Sequence, residues 1–126
     1  MTVLSAPYVL EYTYQRSLGP VMGRFFASLK ERRIEGVRTA GGKVLVPPSE
    51  WDPQTGEAVL DFVEVGQAGS VVTWAWIGEP RKGQPLARPF AWALVRLDGA
   101  DTALLHAVDA GSPERMKRMP LTCHPP

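Results

Sequence analysis

The stretch that decides the fold is AVLDFVEVGQAGSVVTWAWI, residues 58–77. Its two halves, residues 58–65 and 70–77, are rich in β-branched and aromatic side chains, which favour strands. The GQAG segment between them is typical of a short hairpin connection. The stretch therefore predicts two neighbouring antiparallel strands. Along the second strand, alternation places Val72, Trp74 and Trp76 on one face.

Further strands follow this pair. PFAWALVRL (residues 89–97) and TALLHAV (residues 102–108) both have strand composition, and the first follows a long loop at residues 78–89. In PFAWALVRL bulky side chains alternate with small ones, which fits the curved interior of a small closed barrel. We predict a mainly β fold built on a five-stranded OB-type barrel, whose fifth strand begins near Met119.

A helix is predicted near the N-terminus, in SLGPVMGRFFASLKERRIEG (residues 17–36). Ser17 is a suitable N-cap, Pro20 falls in the first turn and Gly36 can end the helix. Apolar residues recur at helical spacing and form one stripe, which consists of Val21, Met22, Phe25, Phe26 and Leu29.

Two interpretations of this stripe remain open. The helix packs on its own domain, or it docks on a partner through Phe25, Phe26 and Leu29. Two adjacent phenylalanines make the stripe wider than a small domain needs. This width favours docking, and with it the two interpretations have about equal weight.

Residues 36–57 are rich in turns, with one short strand at residues 43–46. Their segment VPPSEWDPQTG (residues 46–56) has the layout of a metal-binding knuckle, but Asp52 and Thr55 stand where cysteines would be expected. The chain contains one cysteine, Cys123, so a disulfide within the chain and a four-cysteine zinc site are both excluded. We predict a helical segment at 1–35, a degenerate ribbon at 36–57 and the barrel at 58–126.

Composition limits the classes of function. The 126 residues are 44% hydrophobic, enough for one core, and their net charge is +1. A dedicated nucleic-acid binder usually has a clear basic excess, because binding to phosphates releases counterions. No segment resembles a secretory signal or a membrane span. These observations predict a cytoplasmic protein without a membrane or nucleic-acid partner.

The sequence contains no constellation of catalytic residues. Of the two histidines, His106 lies in a strand and His124 lies close to the end of the chain. No glycine-rich phosphate-binding loop is present. The chain is therefore predicted not to be an enzyme, and no cofactor is predicted. Trp74, Trp76 and Trp92 leave one alternative open, a barrel that stacks single-stranded nucleic acid on its indoles.

The sequence resembles proteins that combine a zinc ribbon with an OB-fold domain and accompany thiolases, aldolases and hydratases acting on acyl-CoA. The resemblance rests on GKVLVPPSEWDPQTGE (residues 42–57) and FVEVGQAGSVVTW (residues 62–74), and it extends from about Tyr14 to Met119. The ribbon of those proteins reads C-x-x-C-G-x-x-x-x-P-P-x-x-x-C-x-x-C-G. When the proline pairs are superposed, the four ligand positions are occupied by Arg38, Gly41, Asp52 and Thr55.

This replacement of the ligands argues against zinc. Arginine repels a cation, glycine has no ligand atom and threonine is a poor ligand. The turn glycines Gly42 and Gly56 remain, so the resemblance implies a ribbon scaffold without its metal. Its local stability is then expected from the packing of Val44, Val46 and Trp51.

What the resemblance implies is an accessory role. The chain is expected to bind a thiolase-like or aldolase enzyme, such as a lipid-transfer-type thiolase or retro-aldolase, in sterol side-chain or fatty-acid degradation. A MaoC-type hydratase is a further expected partner. Acyl-CoA is the expected substrate of the complex, and Arg81, Lys82 and Arg88 are candidate contacts for its phosphates. A free-standing acyl-CoA binder is another alternative. The partner contacts are expected at Phe25, Phe26, Leu29, Trp74 and Trp76.

Overall fold

The computed structural model describes residues 18–118 and 121–125. These residues form a helix α1, a run of six strands, a short helix α2 and a last strand. Their bounds are α1 Gly19–Lys30, β1 Ile34–Arg38, β2 Val44–Leu45, β3 Asp61–Val65, β4 Gly69–Ile77, β5 Phe90–Leu97, β6 Leu104–Val108, α2 Pro113–Met116 and β7 Thr122–Cys123. The prediction of a mainly β fold with an N-terminal helix is confirmed. No helix among the described residues is long and apolar enough to cross a membrane.

The strands form two antiparallel sheets, in the orders β2-β1-β3 and β6-β5-β4-β7. The predicted hairpin between residues 58–65 and 70–77 is wrong, because β3 pairs with β1 and β4 pairs with β5. Two hydrogen bonds at the turn between β3 and β4 explain the divergence. The Gly66 amide donates to the Asp98 carbonyl at 2.7 Å, and the Asp98 amide donates to the Ala68 carbonyl at 3.0 Å. The turn is thus bonded to the loop after β5 instead of closing a hairpin.

The helix α1 ends at Lys30, so the predicted stop at Gly36 is wrong. Arg32 has a φ of 60°, a left-handed conformation that costs a residue with a side chain about 1–2 kcal/mol. The Arg33 amide donates to the Ser28 carbonyl and the Arg32 amide to the Leu29 carbonyl, both at 3.0 Å, as in a Schellman ending. Pro20 lies in the first turn as predicted, whereas the predicted cap Ser17 lies outside the described residues.

Because of a bulge in β4, the side chains that share a face differ from those predicted. The pairing with β5 shifts between Val71 and Thr73, so Val71 is 4% exposed while Val72 is 53% exposed. The shared face predicted for Val72, Trp74 and Trp76 is therefore wrong for Val72. The two tryptophans share the inner face with Val71 and stand opposite buried alanines of β5.

The two sheets enclose two hydrophobic clusters. The larger one contains Val44, Val46, Val65, Val71, Ala91, Ala93, Val95, Leu97, Ala100, Ala110 and Met116. The smaller one contains Val21, Val37, Leu45 and Val59, with Phe62 packed against it. Because Val21 belongs to α1, the smaller cluster seats the helix on the three-stranded sheet. The larger one lies on the inner face of the four-stranded sheet and receives Val44 and Val46 from β2 and the residue after it.

The loop before β6 joins the two sheets. The Val44 amide donates to Oδ2 of Asp101 at 2.8 Å, and the Asp101 amide donates to the Val44 carbonyl at 2.9 Å. The Val46 amide donates to Oγ1 of Thr102, also at 2.8 Å. Backbone groups of β2 and of the residue after it thus find hydrogen-bond partners in the loop before β6, which belongs to the other sheet.

Several smaller predictions can be compared with the structure. The strand predicted at residues 43–46 is confirmed as β2, and the strand predicted at 89–97 is confirmed as β5. Ser112 caps α2, because its side chain accepts the Arg115 amide. A last strand, β7, is present and pairs with β4 at Gly69 and Ser70, whereas Met119 lies outside the described residues.

Candidate partner interface

The apolar stripe of α1 is divided between the core and the surface. Phe25 is 6% exposed and packs edge-on against Phe26, with ring centroids 5.5 Å apart. Phe26 and Leu29 are 44% and 39% exposed. The packing interpretation therefore holds for Phe25, and docking through Phe26 and Leu29 stays a prediction. Phe25 packs inward, while Phe26 and Leu29 are accessible to a partner.

A buried carboxylate fixes α1 against β1. Glu35 is 6% exposed and accepts hydrogen bonds from Nε and Nη2 of Arg24, at 3.3 and 3.0 Å, and from the Ser28 hydroxyl. The Arg24 guanidinium also lies 4.0 Å from the centre of the Phe62 ring. The hydrogen bonds from Arg24 and Ser28 lower the pKa of Glu35 below its usual value. The helix that carries Phe26 is thus held in one orientation.

This contact was not predicted from the sequence. Arg24 and Ser28 are four residues apart, so both lie on one side of the helix. That spacing was visible in the sequence. The position of Glu35 was not, because it depends on the chain reversing within three residues of the helix end to begin β1.

The tryptophans of the four-stranded sheet lie on both of its faces. Trp74 pairs with Ala93 and Trp76 with Ala91, and both indoles pack against the larger cluster. Trp92 points to the opposite face, where its ring meets Phe90 edge-on at a centroid distance of 5.4 Å. The three indoles therefore do not form a single stacking platform for nucleic acid.

The basic loop between β4 and β5 is partly engaged within the chain. Nε of Arg88 donates to Oδ2 of Asp109 at 3.0 Å. This hydrogen bond raises the pKa of Arg88 and lowers the pKa of Asp109. Arg81 and Lys82 are exposed, and the Arg81 amide donates to Oε1 of Gln84 at 2.8 Å. All three predicted phosphate contacts are exposed, and Arg88 is the one of them that is ion-paired within the described residues.

The ribbon positions do not fit a metal. Arg38 stands at the first ligand position, with Nη1 3.8 Å from Oδ2 of Asp61. Asp52 is 6% exposed, and its Oδ1 accepts the Gln54 amide at 2.9 Å. A polar cleft of about 220 Å³ lies beside these residues. Within residues 18–118 and 121–125, no group of three or more histidine, cysteine, aspartate or glutamate side chains could hold a metal ion.

Backbone hydrogen bonds close both knuckles. In the first, the Thr39 amide donates to the Lys43 carbonyl at 2.8 Å and the Gly42 amide to the Thr39 carbonyl at 2.9 Å. In the second, the Gly56 amide donates to the Asp52 carbonyl at 2.8 Å. Gly42 and Gly56 have φ values of 87° and 74°, which glycine adopts without strain. The turn glycines therefore keep the knuckle shape although the ligands are replaced.

The packing predicted for the ribbon is confirmed in part. Val44 and Val46 are buried at 6% and 1% exposure. Trp51 is 58% exposed, so its predicted packing role is wrong. Trp51 forms an isolated antiparallel bridge with Ala58, outside the named strands.

The residues weighed for catalysis do not converge. His106 is exposed on β6, and its Nδ1 lies 2.8 Å from the carbonyl of its neighbour Ala107. Burial raises the pKa of the Cys123 thiol, which disfavours the reactive thiolate. Cys123 lies in β7 and His106 in β6, at opposite edges of the four-stranded sheet. The two side chains therefore do not form a nucleophile–base pair.

Comparison with known proteins identifies the second half of the chain. Residues 62–120 match the sequence model of the ChsH2 C-terminal OB-fold domain. The chain is also similar to a crystal structure of a DUF35-family protein of unknown function from Sulfolobus solfataricus, with 27% identity and a TM-score of 0.59 over 71% of this chain and 67% of the other. The chain is therefore similar to the ChsH2 OB-fold domain over residues 62–120 and to a DUF35-family protein in its fold. The predicted OB fold is thereby confirmed.

The fold similarity extends beyond residues 62–120. A structure described as the Ltp2–ChsH2(DUF35) aldolase matches with 23% identity and a TM-score of 0.65, over 86% of this chain and 84% of the other. At this identity the match establishes the shared fold. No curated protein matches the sequence at a significant level.

Proposed function

We propose that this protein is a non-catalytic accessory subunit that binds and supports a thiolase-fold enzyme of the aldolase type. The observation that carries the proposal is the match of residues 62–120 to the ChsH2 OB-fold domain. The Ltp2–ChsH2(DUF35) aldolase, a structure of the same fold, supports the choice of enzyme class. The scattered positions of His106 and Cys123 are consistent with a subunit that supplies no catalytic group of its own.

The proposed contact surface is the outward side of α1. Phe26 and Leu29 present accessible apolar area, and the bonds between Arg24, Ser28 and Glu35 hold their helix in place. A preorganised helix loses little conformational entropy when a partner binds. Trp74 and Trp76, which are half-buried on β4, are proposed as a second contact.

The finer features of the proposal concern the substrate. We propose that the complex acts on an acyl-CoA in sterol side-chain or fatty-acid degradation, and that a MaoC-type hydratase joins it. Arg81 and Lys82 are exposed and available for the CoA phosphates. Arg88 would first have to leave Asp109. The two alternative functions, nucleic-acid binding and free-standing acyl-CoA binding, are not favoured by any contact described above.

Co-expression tests the proposal. The chain is produced with an Ltp2-type aldolase subunit encoded in the same genome, and the pair is purified through a tag on the enzyme. We expect the two chains to copurify, and we expect Phe26→Ser to weaken the complex about 30-fold, because a central aromatic anchor contributes about 2 kcal/mol or more. Leu105→Ser is the matched control, since Leu105 is 60% exposed on β6 rather than on α1.

The outcomes separate the parts of the proposal. Circular dichroism should show that both variants remain folded, because both side chains are exposed. Copurification that survives Phe26→Ser would exclude α1 as the contact surface. A wild-type chain that never copurifies, or that cleaves the acyl-CoA alone, would refute the accessory role.

A further inference from the structure

The corner that follows α1 contains a strained residue whose side chain has no structural task. Arg32 is the one non-glycine residue with a positive φ among the described residues, at 60°. Glycine is the usual residue at this position of a Schellman ending, because it adopts the conformation freely. A bulky residue kept in such a conformation suggests that its side chain serves a function.

The hydrogen bonds of this corner use only the main chain of Arg32. Its amide donates to the Leu29 carbonyl at 3.0 Å, and its own carbonyl accepts the side-chain amide of Gln67 from the turn between β3 and β4. Glycine would form both bonds equally well. The guanidinium is therefore not required to build the corner.

The charges around the corner single out the same residue. Arg24 is bonded to Glu35, and Arg33 is bonded to Glu31. Lys30 lies in the last turn of α1, where a cation is favoured by the helix dipole. Arg32 is exposed and forms no ion pair within the described part of the chain. It lies two residues after the last residue of the helix that presents Phe26 and Leu29.

We propose that Arg32 binds a carboxylate at the rim of an apolar pocket on the partner enzyme, and that Phe26 and Leu29 fill the pocket. An apolar patch beside an unpaired cation is complementary to an apolar pocket with an acidic rim. Arginine suits a carboxylate because its planar guanidinium donates two parallel hydrogen bonds. The proposal rests on the proposed function and adds the chemistry of the partner surface.

An anionic membrane has the same charge as such a rim but fits the helix less well. α1 has 12 residues, and an interfacial helix needs a broad apolar face. The large exposed apolar side chains of α1 and its N-cap are Leu18, Phe26 and Leu29, a narrow patch for insertion into lipid. We therefore assign the surface to a protein partner, and vesicles serve as a competing probe.

Three variants of Arg32 in the full chain test the assignment, each titrated against the Ltp2-type aldolase subunit. Arg32→Gly should weaken binding about tenfold while it raises the midpoint of thermal unfolding by about 3–5 °C. Arg32→Lys should retain most of the affinity, whereas Arg32→Glu should weaken binding about 100-fold. The control Arg118→Glu makes the same charge change after α2 and should leave the affinity unchanged.

Arg32→Gly is expected to raise the stability and to lower the affinity, and these opposite changes make the test specific. If the Arg32 side chain has no role in binding, Arg32→Gly improves folding and leaves binding intact, and that result would overturn the inference while the complex itself persists. If the wild-type chain does not bind the enzyme at all, both the proposed function and the inference fail. Binding of the wild-type chain to phosphatidylserine vesicles, abolished by Arg32→Glu, would reassign the residue to a membrane.

Discussion

The two sheets of this protein are stabilised in different ways. In the four-stranded sheet, β4 and β5 pair over eight residues, and their inner face forms the centre of the larger hydrophobic cluster. In the three-stranded sheet, β2 has only two residues, and Val44 and the following Val46 are bonded to Asp101 and Thr102 in the loop before β6. The smaller cluster contains four buried aliphatic residues. The ribbon region, residues 36–57, is therefore held largely by its neighbours.

This difference concerns residues 36–57, which are predicted to be a ribbon without its metal. A structural zinc ion joins two knuckles through four bonds and supplies folding free energy directly. Here each knuckle closes through its own hydrogen bonds, and the segment between them is anchored at Val44 and Val46 to the loop before β6. The stability of the ribbon region is thus coupled to that of the OB-fold domain.

The largest expected effect comes from Gly36→Ala in β1. A Cβ atom at this position would lie 2.4 Å from the Leu45 carbonyl oxygen and 2.7 Å from Cγ2 of Val46, so the strands could not keep their spacing. We expect the free energy of unfolding to fall by about 3 kcal/mol, measured by urea denaturation.

Gly42→Ala is the control for the clash. Gly42 has a positive φ, but a Cβ atom added there would meet nothing within 4 Å, so only backbone strain of about 1 kcal/mol is expected. Equal losses in the two variants would show that β1 and β2 do not need their close approach. If β4 and β5 lose protection from hydrogen exchange at the same urea concentration as β1 and β2, the two sheets unfold together.

A medium effect is expected from Thr102→Val, which keeps the side-chain shape and removes the hydroxyl. The Val46 amide would lose its acceptor at 2.8 Å although Val46 is 1% exposed. An unsatisfied buried amide costs about 1–3 kcal/mol. Hydrogen exchange should show the loss first at the amides of β2, which sharpens the contrast with the four-stranded sheet.

Thr73→Val is the matched control, because Thr73 is exposed on β4. We expect its free energy of unfolding to change by less than about 0.5 kcal/mol. If Thr102→Val also has no effect, the loop before β6 does not hold the ribbon region, and the comparison between the sheets would need another explanation.

The smallest effect is expected from Glu35→Gln, which weakens the bonds between α1 and β1. Arg24 is half exposed and can be solvated when its partner is neutral, so we expect a loss of about 1 kcal/mol at pH 7. The pKa of Glu35 is lowered in the folded state, whereas the unfolded value is about 4.3. The wild-type advantage is therefore present above about pH 4.3 and lost as the pH falls through the folded pKa.

Urea denaturation of both proteins between pH 7 and pH 3 measures this dependence. The difference in unfolding free energy should shrink towards acid pH. A difference that stays constant with pH would show that the charge of Glu35 does not hold α1, and that the smaller cluster alone seats the helix.

Much of the candidate interface could be predicted from the sequence, but the role of each residue could not. Helical spacing places Phe25, Phe26 and Leu29 on one stripe, yet the stripe does not say which side faces the core. Packing against Val37, Leu45 and Val59 decides the rotation of α1 through Val21. That rotation buries Phe25 and exposes Phe26.

The sequence by itself determined the strand-forming segments, the knuckle turns and the absence of cysteine at the four ligand positions of the predicted ribbon. These properties depend on local composition, on glycines that allow a positive φ and on the chemistry of four ligand positions. Only the tertiary structure decided that β3 pairs with β1, that Val72 leaves the inner face and that Arg32 takes a strained corner. Each of these depends on hydrogen bonds between segments distant in sequence or on a competition between backbone strain and packing, and neither is encoded in local periodicity.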